Sequence, residues 1–330
     1  MKGYNKLKLT KKKFLLKRRK NVTKGKIFKI LLFIISLITL ANIIYIIFRK
    51  RTKLGTNKDF TFFNNSIEYK NESKYFCCFC VLGKMENRYT RELISYYQSI
   101  GVDKFVIADN NLPNTEKFTD VVQDYIDNGT VDYIDVIGQL ENYEFYYEMI
   151  YQKYKNKCEW VMFFDFDEYL VMLSEEGKKI GLKEYLSNKK FDKCEAIEFN
   201  WLMYGDNDLV YYDNRTSIER FTKPNYENIY NKFVKSMIRG GLNKTAFYPK
   251  QSIHKPDKNI STCKPDGEMP TTFSFDTLIP PEFKYGYLIH FNTRTAEEYV
   301  GKIKRGYAGN RYEQFDERVD LFFYYYHSLC

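Results

Sequence analysis

The stretch WVMFFDFDE, residues 160–168, decides the fold. Its first five residues are apolar and read as a buried strand. The strand runs straight into Asp165, Asp167 and Glu168, three carboxylates within four residues and undiluted by Lys or Arg. In extended backbone Asp165 and Asp167 point to one side and Phe166 to the other. Phe166 then anchors the turn in the core while the acidic pair faces the rim. Carboxylates this close repel one another, so something must neutralise them. A divalent cation is the expected partner. Hard oxygen ligands suit Mn2+ or Mg2+, which bind through one or two carboxylates plus substrate phosphates. Such an ion would bridge the diphosphate of a nucleotide-sugar and stabilise charge growing on the leaving group.

Upstream, the pattern alternates. Residues 75–82 (YFCCFCVL) form a continuous apolar run that reads as a buried strand. Leu93, Ile94, Tyr97 and Ile100 recur at helical spacing, and Gly101 is placed to stop that helix. Residues 104–108 (KFVIA) are a second strand, ending at Asp109. Thr115 is expected to cap a helix carrying Phe118, Val121, Val122, Tyr125 and Ile126. Residues 131–136 are a third strand, residues 143–154 a third helix, and residues 160–164 the fourth strand. Strand and helix repeated in this way predict an α/β fold with a mostly parallel sheet and crossover helices. In such sheets ligands bind beyond the carboxyl ends of the strands, so Asp109 and Asp165 share one rim. No GxGxxG and no GxxxxGK[ST] occurs, which removes dinucleotide-binding and P-loop readings.

Beyond residue 170 the pattern loosens. A short helix is expected over residues 181–187 and a strand over 196–201 (AIEFNW). Residues 202–285 are rich in Gly and Pro and read as mixed strands and long loops. Residues 287–291 (YLIHF) are one more strand, carrying His290, and residues 295–305 are a final helix. His290 reads either as a neutral imidazole completing a metal shell or as a core histidine.

Charge sets the N-terminus apart. The chain has 330 residues and a net charge of +10, but residues 1–53 hold 17 Lys and Arg and no acidic residue. The remainder carries 35 basic against 42 acidic residues. The basic balance is therefore local and does not indicate nucleic-acid binding. Residues 30–48 (ILLFIISLITLANIIYIIF) are nineteen uncharged residues, about 28 Å as a helix and close to a bilayer core. Thirteen Lys and Arg precede them and four follow closely, which places the N-terminus in the cytosol. The expected order is a basic tail (1–29), a membrane anchor (30–48), a stem (49–74) and a large domain (75–330) on the far side. That domain divides into a nucleotide-sugar half (75–170) and an acceptor half (171–330). Seven Cys are present, of which Cys77, Cys78 and Cys80 read as buried small side chains. A disulfide involving Cys158, Cys194 or Cys263 is open, without a readable pairing. Asn-x-Ser/Thr triplets stand at Asn64, Asn71, Asn128, Asn214, Asn243 and Asn259.

Several blocks together resemble one known family. These are residues 86–111 (ENRYTRELISYYQSIGVDKFVIADNN), 159–170 (EWVMFFDFDEYL), 197–205 (IEFNWLMYG), 219–221 (ERF), 231–239 (NKFVKSMIR) and 289–306 (IHFNTRTAEEYVGKIKRG). In this order they resemble glycosyltransferase family 92 over roughly residues 75–306. The resemblance implies a GT-A fold, a Golgi membrane anchor, a UDP-sugar donor, Mn2+, and inverting transfer of galactose to a glycan in a β1,4 link. Carried to matching positions, Asp165 and Asp167 would be the metal and nucleotide carboxylates, with Glu168 beside them. Asp109 would sit against the nucleoside, His290 would be the C-terminal metal ligand, and Glu86 and Arg88 would line the donor pocket. Residues 84–88, where the first block begins, read KMENR here, a slight departure from the family pattern.

Inverting transfer needs a carboxylate to deprotonate the acceptor hydroxyl, and Asp206, Asp208 and Glu219 are the candidates. Glu219 has a structural alternative, pairing with Arg220 or Arg239. Lys235 and Arg239 are expected either at the donor phosphates or on a solvated basic edge. Trp201 and Tyr204 are placed either to stack on a sugar ring or in the core. Two further readings stand beside this one. They are a family 2-like transferase building surface polysaccharide, and a catalytically inactive sugar-binding membrane protein.

Overall fold

The computed structural model describes residues 74–306 apart from residues 140, 249–252, 272–273 and 275. The expected tail and anchor, nearly all of the stem, and Cys330 lie outside the described residues. Among the described residues no helix is long and apolar enough to cross a membrane.

The N-terminal half alternates strand and helix. Its elements are β1 (Tyr75–Gly83), α1 (Asn87–Ser99), β2 (Lys104–Asp109), α2 (Thr119–Asp127), β3 (Val131–Asp135), α3 (Tyr143–Tyr154) and β4 (Cys158–Phe163). The remainder supplies β5 (Glu168–Met172), α4 (Leu182–Leu186), β6 (Ala196–Met203), α5 (Ser217–Arg220), β7 (Val234–Arg239), β8 (Thr262–Cys263), β9 (Gly286–His290) and α6 (Ala296–Arg305). One sheet of nine strands has the order β3-β2-β1-β4-β7-β6-β9-β5, with β8 beside β6. Five of its pairings are parallel and three are antiparallel. The expected mixed α/β, mostly parallel sheet is present.

Burial on both faces explains the apolar runs. Phe79, Val81 and Met162 share a core with Leu93, Ile94, Tyr97 and Val122 of α1 and α2. Cys80, Leu82, Val161 and Phe163 share the opposite one with Tyr146, Tyr147, Ile150 and Tyr151 of α3. α1 and α2 thus cover one face and α3 the other. The chain winds outward from β1 to β3, then returns under α3 to place β4 on the other side of β1. The strand order reverses between β1 and β4, and in open α/β sheets that is where a ligand crevice opens.

Three local readings change. Thr115 does not cap α2, whose N-cap is Phe118; the Thr115 hydroxyl donates to Leu112 O at 2.8 Å and closes a turn. β5 is not among the expected strands, and β7 falls in the region expected to hold mixed strands but is not located by the sequence. Each breaks the expected apolar pattern with charge, Glu168 in one and Lys235 in the other. Cys78 is more than a small buried side chain. It is bonded to Cys158, and Cys194 to Cys263, while Cys77 and Cys80 are buried free thiols.

Candidate active site

The crevice is built on close approach. A Cβ on Gly83, at the end of β1, would lie 2.4 Å from ring carbons of both Phe118 and Phe166. Those rings stack at 5.1 Å, so Phe166 anchors the acidic turn in the core as expected. Asp109, at the end of β2, is fully buried. Its carboxylate accepts from the Asn111 and Phe118 amides at 3.0 and 3.1 Å and from the Tyr133 hydroxyl at 3.0 Å. It therefore shapes the loop behind the crevice.

Asp165 and Asp167 meet different surroundings. Lys235 Nζ, wholly buried on β7, lies 2.8 Å from Asp165 Oδ2 and 3.9 Å from Glu168 Oε2. Tyr147 donates its hydroxyl to Asp165 Oδ1 at 3.2 Å. The Asp165 amide donates to Glu168 Oε2 at 2.8 Å. Burial, reinforced by the charges of Asp165 and Asp167, pushes the Glu168 carboxyl well above its ordinary range, against the pull of Lys235. Burial opposes the charge on Lys235, but Asp165 and Glu168 outweigh it and hold the ammonium above its usual value.

Asp167 faces the C-terminal arm. Lys302 Nζ of α6 lies 2.6 Å from Asp167 Oδ2, and His290 Nε2 at the end of β9 lies 3.6 Å from Asp167 Oδ1. Burial alone would raise the Asp167 carboxyl, but Lys302 and His290 overcome it and hold it well below the usual range. Burial lowers the His290 imidazole, favouring the neutral ring that can act as a ligand. Its Nδ1 is buried without a hydrogen-bond partner. The ring lies 4.3 Å from Trp201.

The arm is pinned to the first crevice loop. Arg294 donates to Phe166 O at 3.1 Å and to Glu86 Oε2 at 3.3 Å. Arg305 pairs with Glu86 and donates to Lys84 O and Met85 O at 2.8 and 2.7 Å. Met85 and Arg294 both have a φ of 53°, a left-handed backbone that non-glycine residues seldom adopt and that concentrates at functional sites. Sequence reasoning missed Lys302, Arg294 and Arg305. The available signal was the run of basic residues in the 289–306 block.

The other candidates separate. Arg88 is exposed and stacks 4.1 Å from the Tyr212 ring. Arg239 sits at the far end of β7, opposite Trp160, and donates to Cys194 O and Phe191 O, both at 3.0 Å. The structure does not bring it to the acidic turn. Glu219 pairs with neither Arg220 nor Arg239. It forms a capping box with Thr216, while Arg220 pairs with Glu298. Asp208 is exposed, with Lys223 at 3.6 Å. Asp206 is buried and accepts from the Asp208 amide at 2.9 Å. It lies just past β6, whose Met203 pairs with His290.

Of the four expected metal residues, Asp167 and His290 lie side by side at 3.6 Å, and both aspartates, expected to lack a basic partner, are each paired with a lysine brought from elsewhere in the chain. Among the described residues no three His, Cys, Asp or Glu side chains form a metal-holding group. That leaves one carboxylate and one imidazole as protein donors, so a cation held there would depend on phosphate oxygens to complete its shell.

The chain is similar to solved structures of S. aureus TarS, at 14% identity over 77% of this chain and 44% of that one (TM-score 0.34). It is also similar to S. aureus TarS 1-349 in complex with UDP-GlcNAc, at 11% identity over 77% and 74% of the two chains (TM-score 0.36). The chain therefore spans less than half the length of the first of these. No curated protein matches it. The family model described as glycosyltransferase family 92 matches residues 73–320, and the chain belongs to that family.

Proposed function

We propose that this glycosyltransferase moves a hexose, galactose in the first instance, from a UDP-sugar to a glycan with inversion, using Mn2+ or Mg2+. The observation that carries the reading is the pairing of Asp167 with His290 at 3.6 Å, beside the point where the strand order reverses. Asp167 and His290 would hold the cation, which when bound neutralises the donor diphosphate. Lys235 keeps Asp165 oriented at the rim. Asp206 is the base. Of the three candidate carboxylates it alone is buried, and it leaves the strand that flanks His290. The acceptor would approach over aromatic rings that lead outward from His290 through Trp201, Phe233 and the exposed Tyr230.

The location follows as part of the same proposal: a type II protein of the Golgi membrane, anchored by residues 30–48, with the catalytic domain lumenal. Two disulfides suit an oxidising compartment. Four of the glycosylation triplets, at Asn128, Asn214, Asn243 and Asn259, have an exposed Asn. The test is nucleotide release by the full-length chain from a panel of UDP- and GDP-sugars, with and without Mn2+. Release from UDP-galactose that needs Mn2+ is expected. Release from no nucleotide-sugar would leave the inactive sugar-binding reading. The lysine ion pairs to both aspartates favour a second reading, in which ammonium groups alone neutralise the donor. Release unaffected by chelator would establish it.

A further inference from the structure

Lys302 is built into its position. Its ammonium has three N–H groups, and all three are engaged. One meets Asp167 Oδ2 at 2.6 Å, and the others meet Asn292 O at 3.0 Å and Asn292 Oδ1 at 2.9 Å. The helix that carries it is clamped at both ends. At its start Thr295 and Glu298 form a capping box. Glu298 also takes two bonds from Arg220, at 2.6 and 3.0 Å, and one from the Tyr89 hydroxyl at 2.8 Å. At its end Arg305 is tied to Glu86 and to the carbonyls before it. The ammonium cannot swing away with its helix, yet its side chain keeps 19% exposure.

This arrangement sets a conflict of charge. A divalent cation held between Asp167 Oδ1 and His290 Nε2 would sit on the carboxylate that Lys302 already neutralises. Two like charges on one carboxylate in a largely buried site repel strongly. An arriving diphosphate removes the conflict, because it offers anionic oxygens to both. Lys302 needs to redirect only one N–H, from Asp167 to a phosphate oxygen, while Asn292 keeps the other two.

We propose that Lys302 is a charge gate: it holds Asp167 in the nucleotide-free protein and yields it only when a divalent cation arrives with a nucleotide diphosphate, so the two bind as a coupled pair. The inference rests on the donor-site reading above and adds a residue and an order of binding to it. Lys302 acts as a positioning residue through Asp167.

The test uses the full-length chain in detergent micelles. Mn2+ binding is followed by loss of the free-ion electron paramagnetic resonance signal, and UDP binding by calorimetry, each with and without the other ligand. In the unaltered protein, UDP is expected to tighten Mn2+ binding by at least about 10-fold, within the usual span of coupling between sites. Lys302→Met should strengthen Mn2+ binding without UDP by about 10-fold and shrink the coupling by a similar factor. Lys302→Arg, which keeps the charge, should retain the coupling. Should the Met variant fail to fold, Lys302→Gln, which can still donate to Asn292, supplies the same comparison. If Lys302→Met leaves both free-Mn2+ affinity and coupling unchanged while UDP and Mn2+ still bind, the gate is wrong and the donor site stands. UDP binding that ignores Mn2+ in the unaltered protein also overturns the gate. If UDP binds under no condition, the donor-site reading falls and the gate with it.

Discussion

Asp165 and Asp167 stand two residues apart and receive one lysine each, but from different kinds of element. Lys235 comes from the middle of the sheet and is wholly buried, and Tyr147 and a strongly up-shifted Glu168 complete its group. On that side the exposed third of Asp165 and the buried Glu168 Oε1, which has no hydrogen-bond partner, are left over. Lys302 comes from the closing helix, and its side of the turn is incomplete. His290 Nε2 lies 3.6 Å from Asp167 Oδ1, and His290 Nδ1 has no partner. The real contrast is access: the lysine supplied by the sheet is wholly buried, whereas the lysine supplied by the arm keeps 19% exposure.

The largest effect expected tests that contrast directly. Asp167→Asn should lower nucleotide release on the order of 10³-fold with unchanged circular dichroism. Retained Mn2+ and UDP binding in that variant would show that Asp167 is not the ligand side. Lys235→Met should act on stability. Removing one partner of a buried ion pair costs about 3–5 kcal/mol, measured by urea unfolding. A cost near zero would mean that the sheet side is no more committed than the arm.

The arm has its own anchor, and pH can find it. Burial raises the Glu298 carboxyl, but hydrogen bonds from Arg220, Thr295 and Tyr89 outweigh burial and hold it at about 2. A depressed carboxyl contributes stability above its unfolded pKa of about 4.3 and loses it as pH falls through 2. That amounts to about 3 kcal/mol. Glu298→Gln should flatten the acid limb of the stability profile over that window, and an unchanged limb would remove Glu298 as the clamp. The smallest effect lies at the acceptor side. Tyr230→Ala should raise acceptor KM about 3- to 10-fold, the worth of one aromatic contact, with donor KM unchanged. A shift in donor KM instead would put that ring on the other side of the turn.

Local pattern carried the parallel half of the molecule. The runs at residues 75–82 and 160–164 are apolar because helices cover both faces of those strands, and that chemistry is visible residue by residue. β7 was not visible, because VKSMIR carries two basic residues whose partners, Asp165 for Lys235 and the Phe191 and Cys194 carbonyls for Arg239, are distant in sequence. The disulfide pairings were hidden for the same reason, since they join cysteines 80 and 69 residues apart. Glu219 and Arg220 are adjacent, yet their partners diverge, one to a helix cap and the other to Glu298.

The linear chain determined the βαβ alternation, the buried strand that ends in a cluster of carboxylates, and the family to which those blocks point. These follow from periodicity and from charge placed where no neighbour along the chain can cancel it. Only the tertiary structure decided which cations answer which carboxylate, because Lys235 and Lys302 reach their aspartates from 70 and 135 residues away. Counter-charges are chosen by distance in space, which hydrophobic pattern does not encode.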